Sequence, residues 1–167
     1  LTIGAPKQGL LPPEAWPFVG RLEVAPDVGL LPCPIQSESH WTLPEDFRGF
    51  PPARPVAGHK GTFGHLAIIA GSVGYHGAAV LATRGAQRAQ PGLVTALPLA
   101  PAYPQVAAQL QSAMVKPWSH DLHFPGDFTA LLVGPGLAAR DVPQELIVSV
   151  RKLWRDSLLP MVVDASA

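Results

Sequence analysis

A single cysteine, Cys33, rules out an internal disulfide framework. It lies between prolines with no base beside it, so it reads as an inert thiol compatible with a reducing compartment. Charge is equally sparse. Twelve Lys and Arg balance twelve Asp and Glu, charged residues make up 14% of the chain, and formal net charge is zero. No basic stripe is present, which argues against a nucleic-acid partner. No apolar run reaches the roughly 18–20 residues that span a bilayer, and no charged segment leads into an apolar core as in a signal peptide. The expectation is a cytoplasmic protein with no membrane partner. Hydrophobic residues nevertheless make up 47% of the 167 residues, enough for a packed core in one ordinary domain, or in a domain plus part of another. The chain begins with Leu1 and closes on Met161-Val162-Val163-Asp164-Ala165-Ser166-Ala167, which reads as a strand and its exit turn. It is therefore expected to be cut at both ends.

Proline divides what is present. Pro12, Pro13, Pro17, Pro26, Pro32 and Pro34 exclude a long helix from residues 1–35. Short strands are expected there at 1–4, 19–24 and 28–30. Residues 36–58 turn polar and then proline-rich, as suits a semi-rigid linker. From His59 apolar strands alternate with helical spacings. Leu66–Ala70, Leu93–Leu97, Phe128–Val133 and Pro160–Val163 read as strands. Helices are predicted from Gly77 to about Ala89, over 105–115 with Val106, Leu110 and Ala113 on one side, and after Pro143 with Leu146, Val150, Leu153 and Trp154 on one face. This alternation predicts an α/β fold with a mostly parallel sheet and right-handed crossovers.

Ligands of such sheets bind at the carboxyl ends of the strands. Three of these ends carry unusual residues: Gly71-Ser72-Val73-Gly74-Tyr75-His76-Gly77-Ala78, then Gly134-Pro135-Gly136-Leu137, then Asp164. Glycines allow close backbone approach, and a helix N-terminus attracts anions. The glycines also suit a tight turn with close helix packing. The glycine spacing matches neither a Walker loop nor a dinucleotide fingerprint. Ser72 reads as a turn cap or a nucleophile, and Asp164 as a helix cap or a contact to sugar hydroxyls or a metal-bound phosphate. His59 and His65 have no acid partner nearby, His76, His120 and His123 read as loop residues, and no metal site is expected. Trp16, Trp41, Trp118 and Trp154 read as packing anchors.

The order and spacing of four motifs carry a resemblance. His59-Lys60-Gly61 through Ala78, Gly92-Leu93-Val94-Thr95, Gly134-Pro135-Gly136-Leu137 and Val163-Asp164-Ala165 together resemble the first half of the ADP- or ATP-dependent NAD(P)H-hydrate dehydratases. That family has a ribokinase-like three-layer α/β/α fold. Thr2-Ile3-Gly4-Ala5-Pro6-Lys7-Gln8-Gly9-Leu10-Leu11, with Val19-Gly20 and Asp27-Val28-Gly29-Leu30, is similar to the end of an NAD(P)H-hydrate epimerase domain, which is Rossmann-like. The resemblance therefore implies the tail of an epimerase domain over 1–35, a linker over 36–58 and a truncated dehydratase domain over 59–167.

The implied substrates are NAD(P)H hydrate and ADP or ATP with Mg2+. Potassium belongs to the epimerase part, and a homo-oligomer is compatible with the family. The dehydratase phosphorylates the ring hydroxyl of the (6S) hydrate and eliminates it, while the epimerase interconverts the two hydrate epimers. Motif by motif, substrate contact is carried onto Ala78 and Gly136, with Gly77, Gly134 and Asp164 beside them. The sequence departs from the family at Ala138, where a glycine is usual, at Ser166, where a second aspartate is usual, and at Ala89-Gln90-Pro91 before Gly92. The family's catalytic Gly-x-Gly-Asp is expected downstream and the epimerase's catalytic residues upstream, so the chain alone is expected to catalyse neither reaction. The competing readings are a ribokinase-like vitamin or thiazole kinase and a non-catalytic nucleotide-binding remnant.

Overall fold

The computed structural model describes residues 1–25, 27–31, 42, 44–122, 124, 126–138, 140, 142–164 and 167. Cys33, Trp41, His123, Ala165 and Ser166 lie outside the described residues. The chain divides into two compact units, Leu1–Arg48 and Gly49–Ala167.

The first unit is small. Strands β1 (Thr2–Ile3) and β2 (Val24–Ala25) pair in parallel, with Thr2 opposite Val24. The hydroxyl of buried Thr2 donates to the Ala5 carbonyl at 2.9 Å. Prolines open the connection into short 3-10 turns at Gln8–Leu10 and Pro13–Ala15. Residues 28–30, expected as a strand, form a bend instead, and Gly29 takes a positive φ of 75° that breaks extended geometry.

The second unit is a parallel sheet of five strands among the described residues. In chain order these are β3 (His65–Ile69), β4 (Leu93–Leu97), β5 (Met114–Val115), β6 (Ala130–Val133) and β7 (Met161–Val163). Their order across the sheet is β5-β4-β3-β6-β7. The chain winds outward from β3 to one side, then jumps across to β6 and winds to the other. Between β3 and β6 lies a topological switch point, where open α/β sheets keep their ligand crevice.

Side chains alternate across β3. Ile68 and Ala70 join Ala79, Val80, Val94, Ala96, Val106 and Leu110 on one face. Ala67 and Ile69 join Leu97, Leu131, Val133 and Leu146 on the other. Helix α1 (His76–Arg88) and the short α2 (Tyr103–Ala107) cover the first face, and α3 (Gln144–Asp156) covers the second. The small side chains of α1 bring it close to the sheet, since a Cβ added to Gly71 would lie 2.8 Å from that of Ala79. Past its C-terminus Gln90 adopts φ 58°, the left-handed turn that closes a helix, and Pro91 follows.

Two sequence expectations need correction here. The helix predicted over 105–115 ends at Ala107, and Met114–Val115 pairs with Thr95–Ala96 as an edge strand. Val106, Leu110 and Ala113 keep their common face because all three pack on one core cluster, but a loop delivers the last two. Nor are all the tryptophans packing anchors: Trp16 and Trp154 are each 64% exposed, whereas Trp118 packs on the core of the second face. Trp154 lies one residue beyond the Val150–Leu153 stripe, which rotates it off the buried side.

The His59-Lys60-Gly61 segment is a clasp. The His59 ring accepts from the Gly61 N–H at 3.1 Å, and Thr62 Oγ1 accepts from the His59 N–H at 3.3 Å, capping a 3-10 turn at Lys60–Phe63. That turn lies against Gly92, where an added Cβ would collide with the Lys60 carbonyl. The Arg54 guanidinium donates to the carbonyls of Gln90 and Pro91 at 2.7 and 3.2 Å and sits 4.6 Å over the Phe63 ring.

Two predictions follow from this packing. Gly85 is exposed on α1 with nothing within 4 Å of an added Cβ, so Gly85→Ala should raise unfolding free energy by about 0.5–1 kcal/mol in urea titration. His65 lies at the other end of β3 from the switch-point turns, its Nε2 2.8 Å from Thr95 Oγ1 and its ring 4.5 Å from that of Phe128. Burial lowers its pKa below the ordinary 6.5, Lys116 adding to the effect and Asp127 opposing it. The unfolded chain therefore takes up this proton at higher pH than the folded one. The stabilisation is complete above the unfolded pKa and is lost as pH falls through the folded value. Urea midpoints measured on either side of that window should differ more in the native chain than in His65→Gln.

Candidate functional site at the switch point

The carboxyl ends of β3 and β6 are stitched together. The Gly71 N–H donates to the Pro135 carbonyl at 2.9 Å, and the Gly134 N–H to the Ile69 carbonyl at 3.1 Å. The Ser72 hydroxyl, on a fully buried side chain, donates to the Gly136 carbonyl at 2.6 Å. The Ser72 side chain is thus committed neither to capping its own turn nor to acting as an available nucleophile. It staples one glycine turn to the other, a role that the local sequence does not signal because its partner lies 64 residues away.

Glycine is required where these turns touch. Gly136 has φ 71°, and a Cβ there would lie 2.6 Å from the Tyr75 carbonyl oxygen and 2.9 Å from the Ala78 Cβ. The structure therefore brings Ala78 and Gly136 side by side. Gly134, at φ 122°, leaves room for the end of β7: its added Cβ would meet both the Cβ and the carbonyl of Asp164 at 2.9 Å. The Asp164 N–H donates to the Val133 carbonyl at 2.9 Å, and the side chain reaches the surface. Gly77 differs from the others. It is exposed in the first turn of α1 with nothing within 4 Å of an added Cβ, so neither packing nor φ demands glycine there. All five residues singled out from sequence thus lie along one edge, Ala78 and Gly136 in contact, Gly134 against Asp164, and Gly77 open to solvent.

The start of α1 faces this crevice. Its N-cap, Tyr75, makes no side-chain cap hydrogen bond, and the first turn holds no acidic residue. Uncapped N–H groups at a helix start are an anion site in waiting. Among the described residues no group of three or more His, Cys, Asp or Glu converges as a metal site, and Asp164 is the carboxylate at these strand ends. One residue set was missed from sequence, namely the β4 exit. The Leu99 N–H donates to the Gly71 carbonyl at 3.0 Å and the Trp118 N–H to the Pro98 carbonyl at 2.7 Å, which adds two further loops to the same edge.

The sequence model of NAD(P)H-hydrate dehydratase matches residues 66–167, more than half of the chain. The chain belongs to the NAD(P)H-hydrate dehydratase family. It is 34% identical over 181 residues to the bifunctional NAD(P)H-hydrate repair enzyme Nnr of Gloeobacter violaceus, taking in 98% of this chain and 34% of that protein. It is 29% identical over 100 residues to the ADP-dependent (S)-NAD(P)H-hydrate dehydratase of Lactiplantibacillus plantarum, covering 58% of this chain and 36% of that one. Among solved structures, the ADP/ATP-dependent NAD(P)H-hydrate dehydratase of Bacillus subtilis co-crystallised with ATP and Mg2+ matches with a TM-score of 0.60 and 30% identity, over 74% of this chain and 44% of that one. The sheet is thus part of a ribokinase-like fold, and the vitamin- or thiazole-kinase reading gives way to the dehydratase family. The chain spans about a third of the length of the bifunctional relatives it matches, 34% in each of three cases. No described helix is long and apolar enough to cross a membrane.

The glycines give a test that separates folding from binding. Gly136→Ala should cost about 3 kcal/mol of stability, because strain at positive φ adds to a clash with Tyr75 and Ala78. Gly77→Ala should leave thermal unfolding unchanged or slightly raised. A loss of stability in Gly77→Ala comparable with that of Gly136→Ala would contradict the open geometry described for it.

Proposed function

We propose that this chain is part of a nicotinamide-nucleotide repair enzyme whose dehydratase domain returns the (6S) hydrate of NADH or NADPH to NAD(P)H at the expense of ADP or ATP. The observation that carries the reading is the contact between Ala78 and Gly136 across the switch point, beneath the uncapped start of α1. Ala78 and Gly136 bound the place for the hydrate. The Gly77 backbone and the first turn of α1 face its phosphates, and Gly134 sets the distance to Asp164.

The chemistry follows from the substrate. A hydroxyl on the reduced nicotinamide ring is a poor leaving group. Transfer of a phosphoryl group from the nucleotide makes it a good one, and loss of phosphate with a ring proton restores the double bond. Phosphoryl transfer needs in-line positioning and neutralised charge more than covalent help. A rigid glycine-lined crevice and a helix N-terminus supply part of both. Magnesium would arrive on the nucleotide phosphates, and a carboxylate such as Asp164 suits an ion that usually takes only one or two from protein. There the ion would screen the phosphate charge.

The same reading assigns residues 1–35 to the end of an epimerase domain of Rossmann-like architecture, with its potassium requirement, and 36–58 to the linker. Support comes from the bifunctional names of relatives that match 98% or more of this chain. A cytoplasmic site of action and a homo-oligomeric state belong to the proposal. The 167-residue chain by itself is assigned neither reaction. The experiment is to supply the full-length protein with NADPH hydrate and either ADP or ATP and to follow recovery of NADPH by its near-ultraviolet absorbance. Nucleotide-dependent recovery is expected. A folded full-length protein that phosphorylates a vitamin instead, or leaves the hydrate untouched, would overturn the reading.

A further inference from the structure

Two tight turns of the same construction meet at the switch point. The first runs from Ser72 to Tyr75 and is closed by the Tyr75 N–H, which donates to the Ser72 carbonyl at 2.9 Å. The second runs from Gly134 to Leu137 and is closed by the Leu137 N–H, which donates to the Gly134 carbonyl at 2.9 Å. Each has glycine in third place, Gly74 at φ 79° and Gly136 at φ 71°, which makes both type II turns. Pro135 stands second in the later turn, where its ring presets the backbone.

Neighbouring residues past the end of β3 hold the second turn at two points. The Pro135 carbonyl accepts from the Gly71 N–H at 2.9 Å, and the Gly136 carbonyl accepts from the Ser72 hydroxyl at 2.6 Å. These carbonyls belong to consecutive peptides. One bond alone would act as a hinge, whereas two fix the angle of the turn as well as its place. The first bond also turns the N–H of the same trans peptide, that of Gly136, away from β3. This N–H meets no acceptor among the described residues, so it is a donor held in one direction. Ser72 is wholly buried and does not share its hydroxyl with solvent. It is the one side chain in the fastening; the rest is main chain.

We propose that Ser72 is a positioning residue for the hydrate: it touches no substrate, and it holds the Gly134–Leu137 turn at the angle that presents the Gly136 N–H and keeps Gly136 against Ala78. The inference rests on the dehydratase reading of the crevice. It gives a reason for a hydroxyl at a position where burial strips it of water. Alanine would fit the same space without that cost, but the Gly136 carbonyl would lose its donor.

The test uses the full-length protein. Ser72→Ala should raise KM for NADPH hydrate by roughly ten-fold, the weight of one oriented hydrogen bond. KM for the nucleotide should stay near its native value. Ser72→Cys, a weaker donor of similar shape, should fall between serine and alanine. A merely structural serine would lower the folded fraction, and with it the apparent kcat, while both KM values stayed put. That pattern, or equal rises in both KM values, overturns the inference and leaves the dehydratase intact. Amide hydrogen exchange is the arm that needs no turnover. In Ser72→Ala the Gly71 N–H should exchange roughly ten-fold faster relative to the amides of β4. Faster exchange confined to Gly71, in a protein that leaves the hydrate untouched, would uphold the positioning of the turn and defeat the dehydratase reading alone. Unchanged exchange at Gly71 overturns the inference whatever the kinetics. If the alanine variant does not fold, the same two readings on Ser72→Cys decide the matter.

Discussion

The hydrogen bond from Ser72 to the Gly136 carbonyl, with its backbone companion from Gly71 to Pro135, is the constraint on which the rest of the site depends. A parallel sheet that winds in two directions leaves a gap where the directions part, and loops that leave adjacent strands there have no inherent reason to stay together. Here they are fastened by a buried hydroxyl whose partner is a main-chain oxygen. Removing the donor would leave that oxygen without its protein partner, the costly half of a broken hydrogen bond. With the fastening in place, Gly136 is held against Tyr75 and Ala78 at separations no side chain would allow. The crevice floor is thus preorganised backbone, and such a floor recognises shape and charge more than sequence-specific side chains do.

Much of this architecture is legible in the residues. The continuous apolar runs at Leu66–Ala70 and Leu93–Leu97 have the pattern of strands buried on both faces, and they lie at the centre of the sheet. Gln90-Pro91 has the chemistry of a helix stop and performs it. The glycines at 134 and 136 look like turn residues and both take positive φ. The illegible part is physical in origin. Met114–Val115 is too short to show a period, and only its pairing to β4 defines it as a strand. The three apolar residues at 106, 110 and 113 satisfy a helical period by coincidence of burial. Ser72 matters through a partner 64 residues along the chain, and single-sequence patterns carry no information on such distances.

The two ends of the sheet show a division of labour. At the carboxyl ends the turns are glycine-rich and meet an uncapped helix start. At the opposite ends the main-chain groups are spoken for: His59 and Thr62 satisfy each other's backbone, Thr129 Oγ1 accepts from the His65 N–H at 2.8 Å, and Arg54 covers the carbonyls that terminate α1. One end is closed by side-chain caps, while at the other the first turn of α1 has no side-chain cap and no acidic residue.

The clasp around Gly92 has a consequence for how the family is inherited. His59, Lys60, Gly61 and Gly92 stand among the residues by which the chain resembles the dehydratases, yet they meet one another on the side away from the crevice, and what they secure is the start of the central strands. A descendant that had lost the reaction would retain them for as long as it kept the sheet. Their persistence therefore records ancestry of the scaffold, while the residues proposed for the chemistry, Ala78, Gly136 and their neighbours, lie along the opposite edge.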